Sequence, residues 1–350
     1  MIYRNVELHN VQQIEETADG VRLCRVPEHV RMSLNESAKM NRAYNTCGCE
    51  LRFNLIGEEA RIVLRKEPGK TVTKHGLAEV YFGPFQAAYP TTPAAVSSDG
   101  TEIVIRYPGN LEELKQLAKL QQLPFDPALV RVILPYEWIY KLVGIEGEVA
   151  PPGPEQTPEL RYLSYGSSIT HGGDAARPTG TYAMRTAQRL GADLINMGFA
   201  GSAHMDEAVA EYIASRDDWS FATLEMGINV FRFWEPELFE RKVNRFLSVI
   251  AGSEPNRPIV CTDLFYCIYD IQENPKIGVF RDIVRTAVQK LERPNVHYIP
   301  GTELLTSAQE LSADLIHPSA AGHELIAERL SVRIVNVLEP QYFPKIKRTV

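Results

Sequence analysis

The pattern of strand-like and helix-like segments changes near residue 150, and this change limits the architectures open to the chain. Before residue 150, short runs with strand composition follow one another, and several alternate apolar and polar side chains; they are residues 51–55, 60–64, 78–82, 102–106 and 130–134. Such alternation is typical of antiparallel strands with one buried face. One helix-like segment, residues 110–122, interrupts them. We therefore predict an antiparallel, jelly-roll-like β-sandwich domain over residues 1–150, with an accessory or carbohydrate-binding role.

A proline-rich stretch follows this region. Residues 150–154 read Ala-Pro-Pro-Gly-Pro, which can continue neither a helix nor a strand ladder. We predict a stiff linker over residues 151–155.

Strands and helices alternate after the linker. The predicted strands are 160–164, 193–198, 221–226, 258–263 and 296–299, and the predicted helices are 180–190, 205–215, 236–250, 276–292 and 319–338. This alternation predicts right-handed βαβ units, and hence a five-stranded parallel sheet between two layers of helices. We assign residues 156–339 to this α/β/α domain and residues 340–350 to an extended tail.

Composition excludes several classes of function. At 350 residues the chain is long enough for two cores, and its net charge of −7 argues against a nucleic-acid or anionic-membrane partner. We see no apolar signal region near Met1, and five cysteines are an odd number for a disulfide framework. These features predict a cytoplasmic protein with reduced thiols. Cys47 and Cys49 are spaced like a metal-ligand pair, but no second pair matches them, so we predict buried thiols, no metal and no cofactor.

A serine turn follows the first strand of the α/β domain. The sequence Tyr-Gly-Ser-Ser-Ile-Thr-His-Gly at residues 165–172 places small residues at a strand-to-helix junction, as an exposed nucleophile requires. The same composition also suits an ordinary polar turn. We favour Ser168 as the nucleophile, with Ser167 as the alternative.

A histidine and an aspartate with suitable spacing lie about 150 residues later. His317 precedes Pro318 and follows Asp314 by three residues. On a tight loop, this spacing lets the carboxylate reach Nδ1 and leaves Nε2 for the serine. A surface histidine beside a turn-capping aspartate is the alternative. We expect His297 and His323 to be structural.

Two further strand ends supply candidate donors for an oxyanion. Gly201 follows the second strand of the α/β domain, and Asn229 follows the third within Gly-Ile-Asn. With the Ser168 N–H they would make three donors.

Together these residues resemble the SGNH (GDSL-type) hydrolase superfamily. The blocks are Gly-Ser-Ser-Ile-Thr, Asn-x-Gly-x-x-Gly, Gly-Ile-Asn and Asp-x-x-His, in the family's order over residues 160–335. The resemblance implies a flavodoxin-like fold, Ser168 as nucleophile, Gly201 and Asn229 as oxyanion donors, and Asp314 with His317 completing a triad. Ser167 and Val230 stand where the family usually has Asp. The chain is similar to the subset with an N-terminal β-sandwich, which includes carbohydrate esterases and some acyltransferases.

Aromatic side chains follow two strands near these motifs. Phe231, Trp234 and Tyr266 are candidate substrate-binding residues, since aromatic rings suit sugars and small acyl groups; packing of the loop itself is the alternative. We also consider the polar loop 41–45 as a segment over the site.

The sequence thus predicts a serine esterase that hydrolyses a carbohydrate O-acetyl ester through an acyl-enzyme. The expected partner is a small-molecule or oligosaccharide ester, with homo-oligomerisation left open. An acyltransferase that uses a small-molecule hydroxyl is the first alternative, and a non-catalytic sugar-binding protein is the second.

Overall fold

The computed structural model describes residues 1–69, 76–253 and 255–338. The chain divides into two compact units, and neither is one continuous segment. The first contains residues 1–28, 40–159 and 177–179; the second contains residues 29–39, 160–176 and the chain from Gly180 onward. The assignment of continuous domains to residues 1–150 and 156–339 stays a prediction, and the tail 340–350 lies outside the described residues.

The first unit is built from antiparallel strands. They are β1 (Ile2–Tyr3), β2 (Val6–His9), β3 (Gln13–Thr17), β4 (Gly20–Cys24), β5 (Glu50–Leu55), β6 (Ala60–Lys66), β7 (Gly76–Phe82), β8 (Phe85–Gln86), β9 (Ala94–Val96), β10 (Thr101–Ile105), β11 (Leu129–Ile133), β12 (Tyr140–Glu146) and β13 (Val149–Ala150). One sheet has the order β1-β2-β5-β11-β7-β8, with β13 on β5 and β9 on β7, and the other has the order β10-β6-β12-β4-β3. Buried side chains of both sheets, such as Leu51, Val80, Ile62 and Leu142, belong to one hydrophobic core. The period-two alternation of these strands supplies that apolar face.

The second unit has a parallel sheet. Its strands are β14 (Arg161–Gly166), β15 (Asp193–Gly198), β16 (Phe221–Glu225), β17 (Ile259–Thr262) and β18 (Val296–Ile299), in the order β15-β14-β16-β17-β18. Counted along the chain this order is 2-1-3-4-5, the flavodoxin-like arrangement. The strands are buried almost throughout, as expected for a sheet covered on both faces.

Helices cover this parallel sheet. The helices of the chain are α1 (Glu28–Met32), α2 (Glu36–Met40), α3 (Leu111–Gln121), α4 (Ser168–His171), α5 (Tyr182–Leu190), α6 (Glu207–Ser215), α7 (Pro236–Ser253), α8 (Ile268–Ile271), α9 (Pro275–Leu291), α10 (Gly301–Leu304) and α11 (Ala320–Val337). In the second unit α5 packs against α11, whereas α7 packs against α6 and α9. Right-handed crossovers in this strand order place these two groups on opposite faces. Among the described residues, no helix combines the length and apolar composition needed to cross a bilayer.

The predicted fold class is confirmed: an α/β domain with a five-stranded parallel sheet follows a β-rich region of antiparallel sheets. The five predicted parallel strands and their five helices agree with the observed elements to within a few residues. Strand β12 contains a register shift between Leu142 and Gly144. All five cysteines are buried and form no disulfide, including Cys47 and Cys49.

Candidate active site

The candidate site lies at the carboxyl edge of the parallel sheet. Strand β14 pairs with β15 on one side and β16 on the other, in parallel register. The connection from β14 runs to β15 on one side, and the connection from β15 returns across β14 to β16 on the other. Ligands in open α/β sheets bind where the direction of winding reverses in this way. Ser168, Gly201 and Asn229 follow these three strands.

The two serines of the predicted nucleophile turn differ in their hydrogen bonds and exposure. Ser167 is the N-cap of α4, and its side-chain oxygen accepts the Ile169 N–H at 3.2 Å. This bond occupies the Ser167 hydroxyl, which is 1% exposed. Ser168, the first residue of the helix, is partly exposed and carries its hydroxyl toward a histidine.

A buried carboxylate anchors this turn from beneath. Glu225 Oε2, at the end of β16, accepts the Ser167 N–H at 2.6 Å and the Thr170 hydroxyl at 3.1 Å. Thr170 Oγ1 also lies 2.6 Å from the Tyr182 hydroxyl. Burial raises the pKa of Glu225, although the hydrogen bonds from Ser167 and Thr170 oppose that shift. A Cβ at Gly166 would lie 2.4 Å from Glu225 Oε2, so only glycine lets the turn approach this carboxylate.

His317 joins the serine to the aspartate. Its Nε2 lies 2.7 Å from Ser168 Oγ, and its Nδ1 lies 2.5 Å from Asp314 Oδ2. An ionised carboxylate only accepts hydrogen bonds, so Nδ1 carries the proton and Nε2 is the acceptor for the serine O–H. The structure therefore brings the three residues predicted as a triad into one continuous chain of hydrogen bonds.

The loop that carries His317 is held by Asp314 itself. Asp314 Oδ1 accepts the backbone N–H groups of Ile316 and His317, each at 2.9 Å. Ser312 donates its backbone N–H to the His317 carbonyl at 2.8 Å and closes the loop. Partial burial would raise the pKa of Asp314, but the hydrogen bonds from His317 and Ile316 outweigh it and lower this pKa to about 2. Asp314 is therefore ionised wherever His317 is neutral.

Three N–H donors that follow β14, β15 and β16 have no acceptor within the described part of the chain. The Ser168 N–H is one of the unpaired donors of the first turn of α4, because the N-cap hydroxyl serves Ile169. Gly201, with φ +66°, begins the loop after β15. Asn229 Oδ1 accepts the Ala203 N–H at 3.1 Å, which directs its NH₂ group away from that loop. These groups suit a developing oxyanion.

The predicted substrate-binding aromatic residues divide into different environments. Phe231 is 2% exposed and packs on Tyr269 and Phe280, with ring centroids 4.3 and 5.2 Å apart. We therefore withdraw Phe231 as a predicted substrate-binding residue, because a ring packed in this way presents no face to a ligand. Trp234 lies 5.8 Å from the His204 ring and is partly exposed, as is Tyr266.

One group of side chains has metal-ligand spacing. Asp174, Asp314 and His317 place their ligand atoms within 4.8 Å of one another. Asp314 and His317 already bond each other, and Ser312 donates to Asp174 at 2.5 Å. A cation there would have to displace the histidine–aspartate bond, so we assign no metal to this group.

Sequence reasoning missed the residues that support the site. Glu225 was unassigned, although a lone acidic residue at the end of the apolar strand β16 is a detectable signal. Thr170 and Tyr182 carry no such signal. His297 and His323 were expected to be structural; His323 is fully buried, and its Nε2 donates to the Gly173 carbonyl at 2.8 Å.

The sequence profile of the GDSL-like Lipase/Acylhydrolase family matches residues 160–335, just over half of the 350 residues. The chain belongs to the GDSL-like lipase/acylhydrolase family. The predicted family and the predicted enzyme class, a serine ester hydrolase of GDSL type, are confirmed. No curated protein matches the chain significantly.

Solved structures resemble almost the whole chain. Salicylyl-acyltransferase SsfX3 from a tetracycline biosynthetic pathway is 20% identical, with a TM-score of 0.73 over 96% of each chain. An active-site mutant of a family two carbohydrate esterase from Clostridium thermocellum is 15% identical, with a TM-score of 0.60 over 95% of this chain and 98% of that one. The acetyl xylan esterase Est2A from Butyrivibrio proteoclasticus is 14% identical, with a TM-score of 0.55 over 98% and 97%. At these identities the likeness shows the fold.

Proposed function

We propose that this GDSL-like hydrolase removes an O-acetyl group from a carbohydrate through an acyl-enzyme on Ser168. The observation that carries the chemistry is the unbroken chain from Ser168 Oγ through His317 to Asp314, with contacts of 2.7 and 2.5 Å. This arrangement supplies a nucleophile, a general base and an orienting carboxylate.

The proposed reaction has two steps on the same residues. Ser168 Oγ attacks the ester carbonyl while His317 Nε2 takes its proton, and the Ser168 N–H, Gly201 N–H and Asn229 NH₂ stabilise the oxyanion. The tetrahedral intermediate then collapses, the C–O bond to the sugar breaks, and His317 returns the proton to the leaving hydroxyl. Water, deprotonated by His317 Nε2, then attacks the acetyl carbonyl. The C–O bond to Ser168 breaks, His317 returns the proton to Ser168 Oγ, and acetate leaves.

A carbohydrate as the alcohol component rests on two supports. Phe233 is 80% exposed in the loop that follows Asn229, and Trp234 next to it is partly exposed. Exposed aromatic rings provide flat apolar surfaces on which sugar rings stack. Two of the similar structures are named as carbohydrate or acetyl xylan esterases.

Replacement of Ser168 tests the proposal. In Ser168→Ala we expect release of acetate from acetylated sugars to fall by about 10³-fold or more, while the unfolding midpoint stays near that of the wild type. Ser248→Ala is the matched control, since Ser248 is exposed on α7 and its hydroxyl donates to the Arg245 carbonyl of the same helix. Activity of Ser168→Ala near the wild-type level would refute the assignment. A wild type active on aryl acetates but on none of a panel of acetylated sugars would refute the substrate class.

An acyltransferase is the second candidate, because the structure with a TM-score of 0.73 is named as a salicylyl-acyltransferase. Both reactions share the acyl-enzyme and differ in whether water or an alcohol accepts the acyl group. Products formed with an added alcohol acceptor decide between them: transfer that grows with acceptor concentration supports the transferase, and hydrolysis alone at saturating acceptor excludes it.

We also propose a reducing compartment such as the cytoplasm, because the five cysteines form no disulfide.

A further inference from the structure

A short segment from the N-terminal part of the chain belongs to the unit that carries the candidate site. Residues 29–39, with α1 and α2, group with the parallel-sheet unit, although the residues on either side belong to the antiparallel unit. Val30, Leu34 and Ala38 are buried. The segment is therefore packed in place.

Asn35, in this segment, forms hydrogen bonds through both the oxygen and the nitrogen of its side-chain amide. Its Oδ1 accepts the Ala38 N–H at 3.2 Å, in the manner of an N-cap for α2. Its NH₂ donates to the Ser202 carbonyl at 2.9 Å and to Asp206 Oδ2 at 3.1 Å. A single side chain thus connects two points of the loop between β15 and α6, which lie more than 160 residues away in the sequence.

That loop determines where two of the three oxyanion donors lie. Gly201 directly precedes Ser202, whose carbonyl Asn35 holds. Ala203 directly follows it, and the Ala203 N–H bonds Asn229 Oδ1 at 3.1 Å. The Ser202 carbonyl and the Ala203 N–H belong to one peptide group. A shift of that group would therefore loosen its bond to Asn229 and disturb the backbone that leads back to Gly201.

Loss of the hydrogen bond from Asn35 to Asp206 would be energetically costly. Asp206 is partly buried, and burial raises the pKa of its carboxyl, while the hydrogen bonds from Asn35 oppose that shift. Its side chain makes no capping bond to α6. Asn35 is accordingly its main hydrogen-bond donor in the described part of the chain.

We propose that Asn35 is a positioning residue that holds the Gly201–Asp206 loop, and through it the oxyanion donors Gly201 and Asn229, in the geometry required by the transition state. This inference rests on the proposed esterase function. It adds to that function a contribution from the N-terminal part of the chain.

The test uses Asn35→Ser in the full-length protein. Serine keeps an N-cap oxygen for Ala38 but is too short to reach Ser202 and Asp206. We expect kcat for aryl acetate hydrolysis to fall about tenfold, with KM changed by less than about twofold, because donors aimed at the oxyanion act in the transition state. Asn274→Ser is the matched control: Asn274 caps α9 through the Lys276 N–H at 3.0 Å, so the same change of side chain at another helix cap should leave kcat unchanged.

A double-mutant cycle separates positioning from general destabilisation. If Asn35 acts through Asn229, the Asn35→Ser change should lower kcat only about two- to threefold in an Asn229→Ala background. An unchanged kcat, a full tenfold loss in both backgrounds, or an equal loss in Asn274→Ser would each overturn the proposal.

If Asn35→Ser does not fold, Asn35→Asp keeps the size and the cap but turns an acceptor toward Ser202 and Asp206. Wild-type kcat in that variant would equally overturn it.

The two proposals fail in different ways. A wild type without esterase activity, or one whose activity survives Ser168→Ala, refutes the proposed function. Activity that depends on Ser168 but is indifferent to Asn35 refutes only the positioning role.

Discussion

Two adjacent serines in the nucleophile turn have different environments although their chemistry is identical. Ser167 is 1% exposed, with its hydroxyl committed to the Ile169 N–H and its own N–H committed to Glu225. Ser168 makes a 2.7 Å contact with His317 Nε2. At the residue scale, the N-cap of a four-residue helix therefore separates the structural serine from the candidate nucleophile.

We expect Ser167→Ala to lower stability rather than abolish turnover. Loss of the N-cap bond to Ile169 should reduce the free energy of unfolding by about 1 kcal/mol, while kcat stays within about an order of magnitude of the wild type because the Ser168–His317–Asp314 chain persists. Denaturant unfolding and steady-state kinetics on this one variant measure both quantities. A loss of activity as complete as that of Ser168→Ala would instead make Ser167 the nucleophile.

At the scale of elements, α11 and α5 hold the segment that follows the nucleophile helix. His323, on α11, accepts the Tyr182 N–H at Nδ1, at 3.2 Å, and donates from Nε2 to the Gly173 carbonyl at 2.8 Å. Both bonds require the neutral ring with its proton on Nε2. Burial lowers the pKa of His323 to about 4, so the imidazole stays neutral in the folded protein down to acidic pH.

His323 should make stability depend on pH between about 6.5 and 4. In this window the unfolded chain binds a proton at His323 that the folded chain does not, so stability falls as pH falls. The loss attributable to this group is on the order of 3 kcal/mol, and its contribution is complete above about pH 6.5. We expect the free energy of unfolding of His323→Gln to fall less between pH 7 and 4 than that of the wild type. His29→Gln, at an exposed histidine, should keep the wild-type slope; equal slopes for all three proteins would contradict the assignment.

At the scale of the whole molecule, the core of the antiparallel unit contains a buried cluster of charged side chains. In the antiparallel unit, Glu50 accepts from Arg131 at 2.6 and 2.7 Å and from Arg52 at 2.8 Å. All three side chains are at most 5% exposed. Burial would raise the pKa of Glu50, but the two guanidinium groups outweigh it and lower that pKa.

Removal of the Glu50 charge should destabilise the protein strongly. Glu50→Gln removes the carboxylate charge that faces two buried guanidinium groups, and we expect the free energy of unfolding to fall by about 3–5 kcal/mol. Glu102→Gln is the matched control, because the Arg61–Glu102 pair is 40% and 45% exposed and should contribute less than about 1 kcal/mol. Denaturant unfolding of both variants checks this, and similar small losses would show that the buried cluster adds little.

The sequence alone was sufficient for the parallel sheet and for the residues at its carboxyl edge. Apolar periodicity of two or 3.6 residues and turn-forming residues are local signals, so strands such as β15 and helices such as α5 could be predicted within a few residues. The short spacing of Asp314 and His317 is equally local, because Asp314 bonds the backbone of the loop that carries the histidine.

Only the tertiary structure decided which groups support that edge and which face away from it. Glu225 beneath the serine turn and Asn35 against the Ser202 carbonyl act across 58 and 167 residues of sequence. Phe231 is aromatic, as many binding-site residues are, but its side chain is buried in the core. No local pattern encodes such contacts, because they depend on how distant segments meet once their apolar faces are buried.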